Sequence, residues 1–171
     1  ESESDFEVKT DYVALNEEDE KHILHCKSNQ SMKKTKYENG VVLICIFQEW
    51  DGKEYLERKI WTKNGHLHTD NDESAVKYFY KKEVVEESWW REGKRTRDND
   101  KPASVLYKNG VVVRESWYKN GFPYRANDKP TEIYWKKGKI EEQHWDDRKG
   151  DKPSCETYFA DGVNIKSKSW G

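Results

Sequence analysis

The residues of this chain that could do chemistry fall into four groups. Asp70-Asn71-Asp72, Asp98-Asn99-Asp100 and Asn127-Asp128 are oxygen-rich clusters of the kind hard cations take. They lack the spacing and the twelfth-position Glu of an EF-hand, and Asx residues hold turns unaided, so they read as turns. His22, His25 and Cys26 lie close together, and His66 and His68 flank Leu67. No second Cys-x-x-Cys half completes a zinc site, so no metal and no other cofactor is expected. The acid pairs Glu86-Glu87, Glu141-Glu142 and Asp146-Asp147 could mimic a glycosidase dyad. Neighbours on a strand point to opposite faces, however, and each pair reads as a solvated edge. No nucleophile elbow, Walker loop or dinucleotide fingerprint is present, so no catalytic residue is assigned and the chain is not read as an enzyme.

The fourth group is aromatic and basic. Trp90, Lys94, Arg95 and Arg97 in one stretch, and Tyr118, Phe122, Tyr124 and Arg125 in the next, are the candidate binding residues. Rings alternating with cations could stack on single-stranded nucleic acid. Acids close by dilute the field, and packing of cations on rings within a sheet is the preferred reading, so nucleic acid is disfavoured as a partner.

These residues sit at fixed intervals, and the intervals reveal what must position them. Trp61, Trp89, Trp117 and Trp145 are 28 residues apart. The same step relates Gly65, Gly93 and Gly121, Asp72, Asp100 and Asp128, Pro102 and Pro130, Gly110 and Gly138, and the aromatic column Phe79, Tyr107 and Trp135. The last copy is shorter, because its Trp-to-Pro loop has lost 5 residues. Such a period means a repeat architecture. Within one copy, Pro102 starts a strand, Asn109-Gly110 turns it, Val111–Tyr118 returns, and Asn120-Gly121 turns again. Val113 and Trp117 share a face by strand alternation, but the equivalent of Val113 is Glu141 in the next copy, which a bulge would reconcile. The periodic Trp rings are expected to pack copy on copy, since one hairpin alone is marginal.

The fold class expected is all-β: an elongated antiparallel β-meander of tandem hairpin repeats, each 28 residues long. Residues 1–10 read as a polar acidic tail and 37–171 as the repeat sheet. Residues 11–36 read as a segment packing on that sheet, with Tyr12–Leu15 and Ile23–Cys26 as strands in preference to a helix from Leu15 through Cys26, and Lys27–Lys36 as a polar connection. Val41–Phe47, apolar on both faces, should be the most buried strand.

Composition agrees. Only 33% of residues are hydrophobic and 37% are charged, so 8 Trp, 10 Tyr and 5 Phe must supply the buried surface. Net charge is -2, but residues 1–20 carry nine acids against Lys9, or -8, which leaves +6 for the rest. Three scattered cysteines imply no disulfide framework and favour a reducing compartment. No apolar run is long enough to span a membrane. No signal peptide is visible, although a chain starting at Glu1 leaves room for one removed upstream.

The strings WWREGKRTRDNDKPA (Trp89–Ala103) and WYKNGFPYRANDKPT (Trp117–Thr131) resemble MORN-like repeats of the variant abundant in giant viruses and present in bacteria. That variant runs roughly Trp-Tyr-x-Asn-Gly-Lys-x-His-Arg-x-Asp-Gly-Pro-Ala. WTKNGHLHTDNDESA (Trp61–Ala75) is a worn copy and WDDRKGDKPSC (Trp145–Cys155) a shortened one. Asn-Asp-Lys-Pro stands where the variant has Asp-Gly-Pro, and Thr96 or Tyr124 where it has His. The resemblance covers roughly residues 50–171. It implies a scaffold or interaction surface, viral in setting, in the cytoplasm or the virion, with a protein partner or self-association through sheet edges. It supplies no catalytic residues. Carbohydrate binding through the periodic Trp and Tyr rings is the alternative, and burial of Trp89, Trp117 and Trp145 would remove its main support.

Overall fold

The computed structural model describes residues 4–7, 18–146 and 152–171. The protein is an antiparallel meander of hairpins, mostly strand, and it divides into two compact units, Glu1–Lys94 and Arg95–Gly171. No helix among the described residues is long and apolar enough to cross a membrane.

The first unit contains β1 (Ser4–Glu7), α1 (Glu18–Leu24), β2 (Gln30–Lys36), β3 (Val41–Trp50), β4 (Lys53–Lys63), β5 (His66–Leu67), β6 (Val76–Tyr80), β7 (Glu83–Ser88) and β8 (Trp90–Arg91). Its sheet runs β1-β2-β3-β4-β6-β7, with β5 turned back onto the end of β4. Three expectations need correction here. Ser4–Glu7 is not a tail but a strand, registered from Ser4↔Lys36 to Glu7↔Lys33. Ile23 and Leu24 close a helix rather than open a strand, because the acidic run before them joins them in one short helix. The polar stretch before Tyr37 is mostly the strand β2, paired with β3 from Gln30↔Gln48 to Lys36↔Val42; the apolar partner strand, not its own composition, makes it a strand. Tyr12–Leu15 lies outside the described residues.

The core of this unit is aliphatic. Ile44 and Ile46 of β3 meet Ile60 of β4, Leu67, Ala75, Val76 and Trp90, and α1 lays Ile23 and Leu24 on the same face. β3 is fully buried on that face only; Val41, Leu43, Cys45 and Phe47 are half-buried. Arg58, buried on β4, gives Nη1–H to the Ile23 carbonyl and Nη2–H to Gln30 Oε1 at 3.0 Å. It thereby satisfies a carbonyl that the end of α1 leaves open.

The second unit contains β10 (Ser104–Lys108), β11 (Val111–Ser116), β12 (Tyr118–Lys119), β13 (Phe122–Pro123), β14 (Glu132–Lys136), β15 (Lys139–His144), β16 (Cys155–Tyr158) and β17 (Ile165–Ser169). The short strand β9 (Lys94–Arg95) pairs with β8. The sheet of this unit runs β10-β11-β14-β15-β16-β17, and β12-β13 forms a separate small hairpin.

Each copy opening at Trp61, Trp89 and Trp117 therefore has two hairpins, a long one in the sheet and one with strands of two residues beside it. The small hairpins are tied in their own row: Gly93 N–H donates to the Leu67 carbonyl at 3.0 Å in the first unit, and Gly121 N–H to the Arg95 carbonyl at 2.8 Å in the second. The long hairpins turn through pairs of residues with positive φ, Asp51-Gly52, Asn109-Gly110 and Lys137-Gly138 among them, as type I′ turns require. Lys81-Lys82 makes the same turn with no Gly or Asn, at φ 44 and 77.

A bulge recurs in five long hairpins, β3-β4, β6-β7, β10-β11, β14-β15 and β16-β17. Registers jump from Ile46↔Arg58 to Phe47↔Leu56, from Tyr78↔Glu86 to Phe79↔Val84, from Leu106↔Arg114 to Tyr107↔Val112, from Tyr134↔Glu142 to Trp135↔Ile140, and from Thr157↔Ser167 to Tyr158↔Ile165. The skipped residues are Glu57, Val85, Val113, Glu141 and Lys166. This explains how Val and Glu alternate at one repeat position: the bulged residue is unpaired and bound to neither strict face.

Candidate functional site

Three of the periodic Trp residues, Trp89, Trp117 and Trp145, are built into the repeat. Trp89, Trp117 and Trp145 are 8%, 5% and 6% exposed. Each indole N–H donates to the main chain of the Asx turn in the preceding copy: Trp89 to Asp72 O at 3.0 Å, Trp117 to Asp100 O at 3.0 Å, and Trp145 to Asp128 O at 2.9 Å. The turns that receive them carry Asn99-Asp100 and Asn127-Asp128 in the left-handed region, where Asn and Asp are best tolerated. Trp61 has Tyr37 as its ring neighbour, at 5.7 Å between centroids, rather than another periodic Trp. At Trp117 the indole, the turn and a cation form a box. Arg125 Cζ lies 3.8 Å from the Trp117 ring centroid, and its Nη1 donates to the Pro130 carbonyl at 3.1 Å. Arg97 donates to the Pro102 carbonyl at 3.0 Å in the same way. Pro102 and Pro130 thus present a carbonyl as well as lacking an amide.

Successive boxes of the second unit are clamped together. Asp100 accepts from Arg125 Nε at 2.9 Å and from Lys129 Nζ at 2.8 Å. These two cations hold its carboxyl down at about 2. Asp128 takes Lys152 Nζ at 3.1 Å; Lys152 stands before Pro153 as Lys129 stands before Pro130.

The candidate binding residues separate accordingly. Trp90 is buried, with its indole N–H on Ser88 Oγ at 2.7 Å, and Arg97 and Arg125 serve the boxes. Lys94 is exposed in the first unit. In the second unit, Arg95 lies over the Tyr118 ring at 5.1 Å and Lys119 Nζ over the Tyr124 ring at 5.1 Å. Phe122 is 74% exposed and Tyr124 48%. A shallow groove of about 270 Å³ beside them is lined by Asp100, Tyr118, Lys119, Tyr124 and Lys129. The β12-β13 hairpin fixes this surface: Tyr118↔Pro123 and Lys119↔Phe122 are its register pairs. Gly110 and Gly138 mark turn tips with open space around them.

Around His66 and His68 the candidate ligand groups are engaged by protein contacts. His68 Nδ1 accepts the Glu92 amide at 2.9 Å, which leaves Nε2–H to donate to Asp70 Oδ1 at 2.7 Å. His68 and Lys63 together lower the Asp70 carboxyl. Asn71 Oδ1 accepts the Glu73 amide at 3.0 Å, an Asx turn. His66 Nδ1 stands 3.7 Å from Glu20 Oε1, a carboxylate fully buried beside the core.

One cluster escaped the sequence reading. Glu142 and His144 on β15 and Cys155 on β16 bring three different donor atoms within 4.8 Å of one another. The legible signal was the i, i+2 spacing of Glu142 and His144; the register that sets Cys155 opposite His144 was not legible, because the loop between the strands is the shortened one. No protein-family model, curated protein or solved structure matches the chain.

Proposed function

We propose that this chain is a non-catalytic repeat module for protein–protein contact, acting through the aromatic and basic face of the β12-β13 hairpin. The observation that carries the reading is a division of labour within one repeat. The periodic Trp, and the Arg and Pro that the Trp89 and Trp117 copies share, are spent on internal bonds, whereas Phe122 and Tyr124, which differ from Lys94 and Thr96 one copy earlier, are exposed. Exposed aromatics beside cations are the composition of interface anchors. A partner that fits offers an apolar pocket with acids on its rim, to meet Phe122, Lys119 and Arg95. The resemblance to giant-virus repeats supports a virion component or a host-directed protein, in the cytoplasm or the virion. Capture of a partner from the native source by the wild-type chain, and loss of that capture in Phe122→Ser/Tyr124→Ser, is the expected result; equal capture by both would rule the hairpin out. Mass in solution, read in the same experiment, separates a foreign partner from self-association through sheet edges.

Carbohydrate binding keeps a narrower footing. Burial of Trp89, Trp117 and Trp145 removes the periodic ladder from that reading, and only Phe122 and Tyr124 remain as exposed rings of the hairpin. Oligosaccharides that leave acrylamide quenching of Trp fluorescence unchanged, and do not protect Tyr124 from nitration, would end it.

A further inference from the structure

Glu142, His144 and Cys155 share one face of the sheet in the second unit. Glu142 and His144 are two residues apart on β15, and His144↔Cys155 is a register pair, so all three side chains leave the same side. Their donor atoms converge: His144 Nε2 to Glu142 Oε1 is 2.8 Å, Cys155 Sγ to Glu142 Oε1 is 3.4 Å, and Cys155 Sγ to His144 Nε2 is 3.7 Å. All three residues are half-buried, shielded without being closed off.

A thiol, an imidazole and a carboxylate together suggest either a nucleophilic triad or a chelate. The geometry separates the two. In a triad the carboxylate orients the imidazole through one ring nitrogen while the other nitrogen faces the nucleophile. Here Glu142 and Cys155 both approach Nε2, so no relay exists. Burial and the Glu142 carboxylate push the Cys155 thiol up, the opposite of an activated nucleophile. Three atoms around one point are instead the arrangement of metal ligands. Zinc bonds of roughly 2.3 Å to sulfur and 2.0–2.1 Å to nitrogen and oxygen, at tetrahedral angles, put the ligand atoms roughly 3.3–3.6 Å apart. The two sulfur edges already match, and the Glu142–His144 edge must open by roughly 0.5 Å, a small side-chain rotation. The cation would replace the proton that now holds Glu142 and His144 together.

We propose that Glu142, His144 and Cys155 form a binding site for a borderline-soft divalent cation of the zinc class, with a fourth position left to solvent or to a partner's side chain. Mixed S, N and O donors select such ions over calcium or magnesium. The surroundings fit. Tyr134 packs edge-on against the His144 ring at 5.6 Å, fixing its plane. Glu132, opposite His144, adds negative charge, and Arg114, opposite Tyr134, lies 3.8 Å from Glu132. Ser169 stands opposite Cys155 on β17. On binding, the Cys155 S–H bond breaks, the sulfur–metal bond forms, and the proton leaves to buffer.

Titration of the reduced full-length chain with cobalt(II) tests this. The expected result is a thiolate-to-cobalt charge-transfer band with tetrahedral d–d bands, saturating at one equivalent and displaced by zinc. Cys155→Ser removes the charge-transfer band and weakens zinc binding by roughly 100-fold or more, and His144→Ala and Glu142→Gln each weaken it by at least roughly tenfold. The Cys26→Ser/Cys45→Ser variant, with both thiols of the first unit removed, keeps the band. Circular dichroism confirms that each variant retains the sheet. Absence of a band in excess cobalt overturns the proposal, as does a band that survives Cys155→Ser. So does a band that His144→Ala and Glu142→Gln leave unchanged, which would mean a thiolate binding alone.

Discussion

Residues Glu1–Lys94 and Arg95–Gly171 carry the same repeat yet fill their interiors differently. In the first unit the long strands β3 and β4 bring Ile44, Ile46 and Ile60 together under a short helix, and the periodic Trp61 is a bystander: its indole nitrogen is buried without a protein acceptor. In the second unit no comparable aliphatic cluster forms among the described residues, and Trp117 and Trp145 are the large buried side chains, each fastened to a turn. The difference lies 17 residues upstream of each Trp. For Trp117 and Trp145 that residue is Asp100 or Asp128, in an Asx turn with a carbonyl to spare; for Trp61 it is Ile44, whose carbonyl belongs to the strand ladder. A repeat position is thus structural only when its receiving turn is also present.

The comparison can be broken first at the ring itself. Trp117→Ala should cost about 3–5 kcal/mol in chemical denaturation, because the cavity, the turn carbonyl and the Arg125 face are lost together. A loss below about 1 kcal/mol would mean the box is ornamental. The glycine turns come next. Gly93→Ala in the first unit meets Glu20 Oε1 and His66 Nδ1 as well as an unfavourable φ of +77, and should cost more than about 2 kcal/mol. Gly110→Ala, at φ +75 with nothing around it, should cost only about 1 kcal/mol; equal costs would show that Glu20 moves aside freely.

A finer cut removes only the indole N–H. Trp117→Phe should lose about 1–3 kcal/mol more than Trp61→Phe, since only Trp117 leaves a buried carbonyl without its donor. Matching losses would dissolve the distinction between a Trp with a receiving turn and one without. The smallest effect is the clamp on Asp100. Its folded pKa, about 2, lies below the unfolded value of about 3.9, so its contribution is complete above the latter and is lost as pH falls through the former. The Asp100 side chain is 42% exposed, so solvent screens the pair and the contribution is modest. Urea midpoints of wild type and Asp100→Asn should converge between pH 4 and pH 2; parallel curves would show that the carboxylate charge adds nothing.

Turn chemistry was the most legible level of the sequence. Asn-Gly pairs and Asx clusters fix the backbone locally, and Asn39, Asn64, Asn109 and Asn120 all take the positive φ their neighbours required. The bulge was legible as a contradiction, Glu141 against Val113, before it was visible as a register jump. What stayed hidden depends on partners distant in sequence. β2 is polar and becomes a strand because β3 pairs with it. Ile23 and Leu24 are too few to declare a helix, and Arg58, which fastens their helix to the sheet, lies 35 residues away from Ile23. The candidate surface was half legible for the same reason: Arg97 and Arg125 look like exposed cations until the Pro102 and Pro130 carbonyls are brought to them.

The clamp in the second unit also has a direction. Asp100 is held by Arg125 and Lys129 of the following copy, and Asp128 by Lys152 of the copy after that, so each copy offers an acid forward and a lysine backward. The Asp–Lys pair is common to both links. Excising residues 101–128 as a block would set Asp100 directly before Lys129 and hand it to Lys152, remaking the acid–lysine bond that Asp128 now makes. A gene encoding such links can lengthen or shorten by whole copies through slippage while the protein keeps its stitching, whereas a cut out of phase with the repeat leaves a hook with no eye.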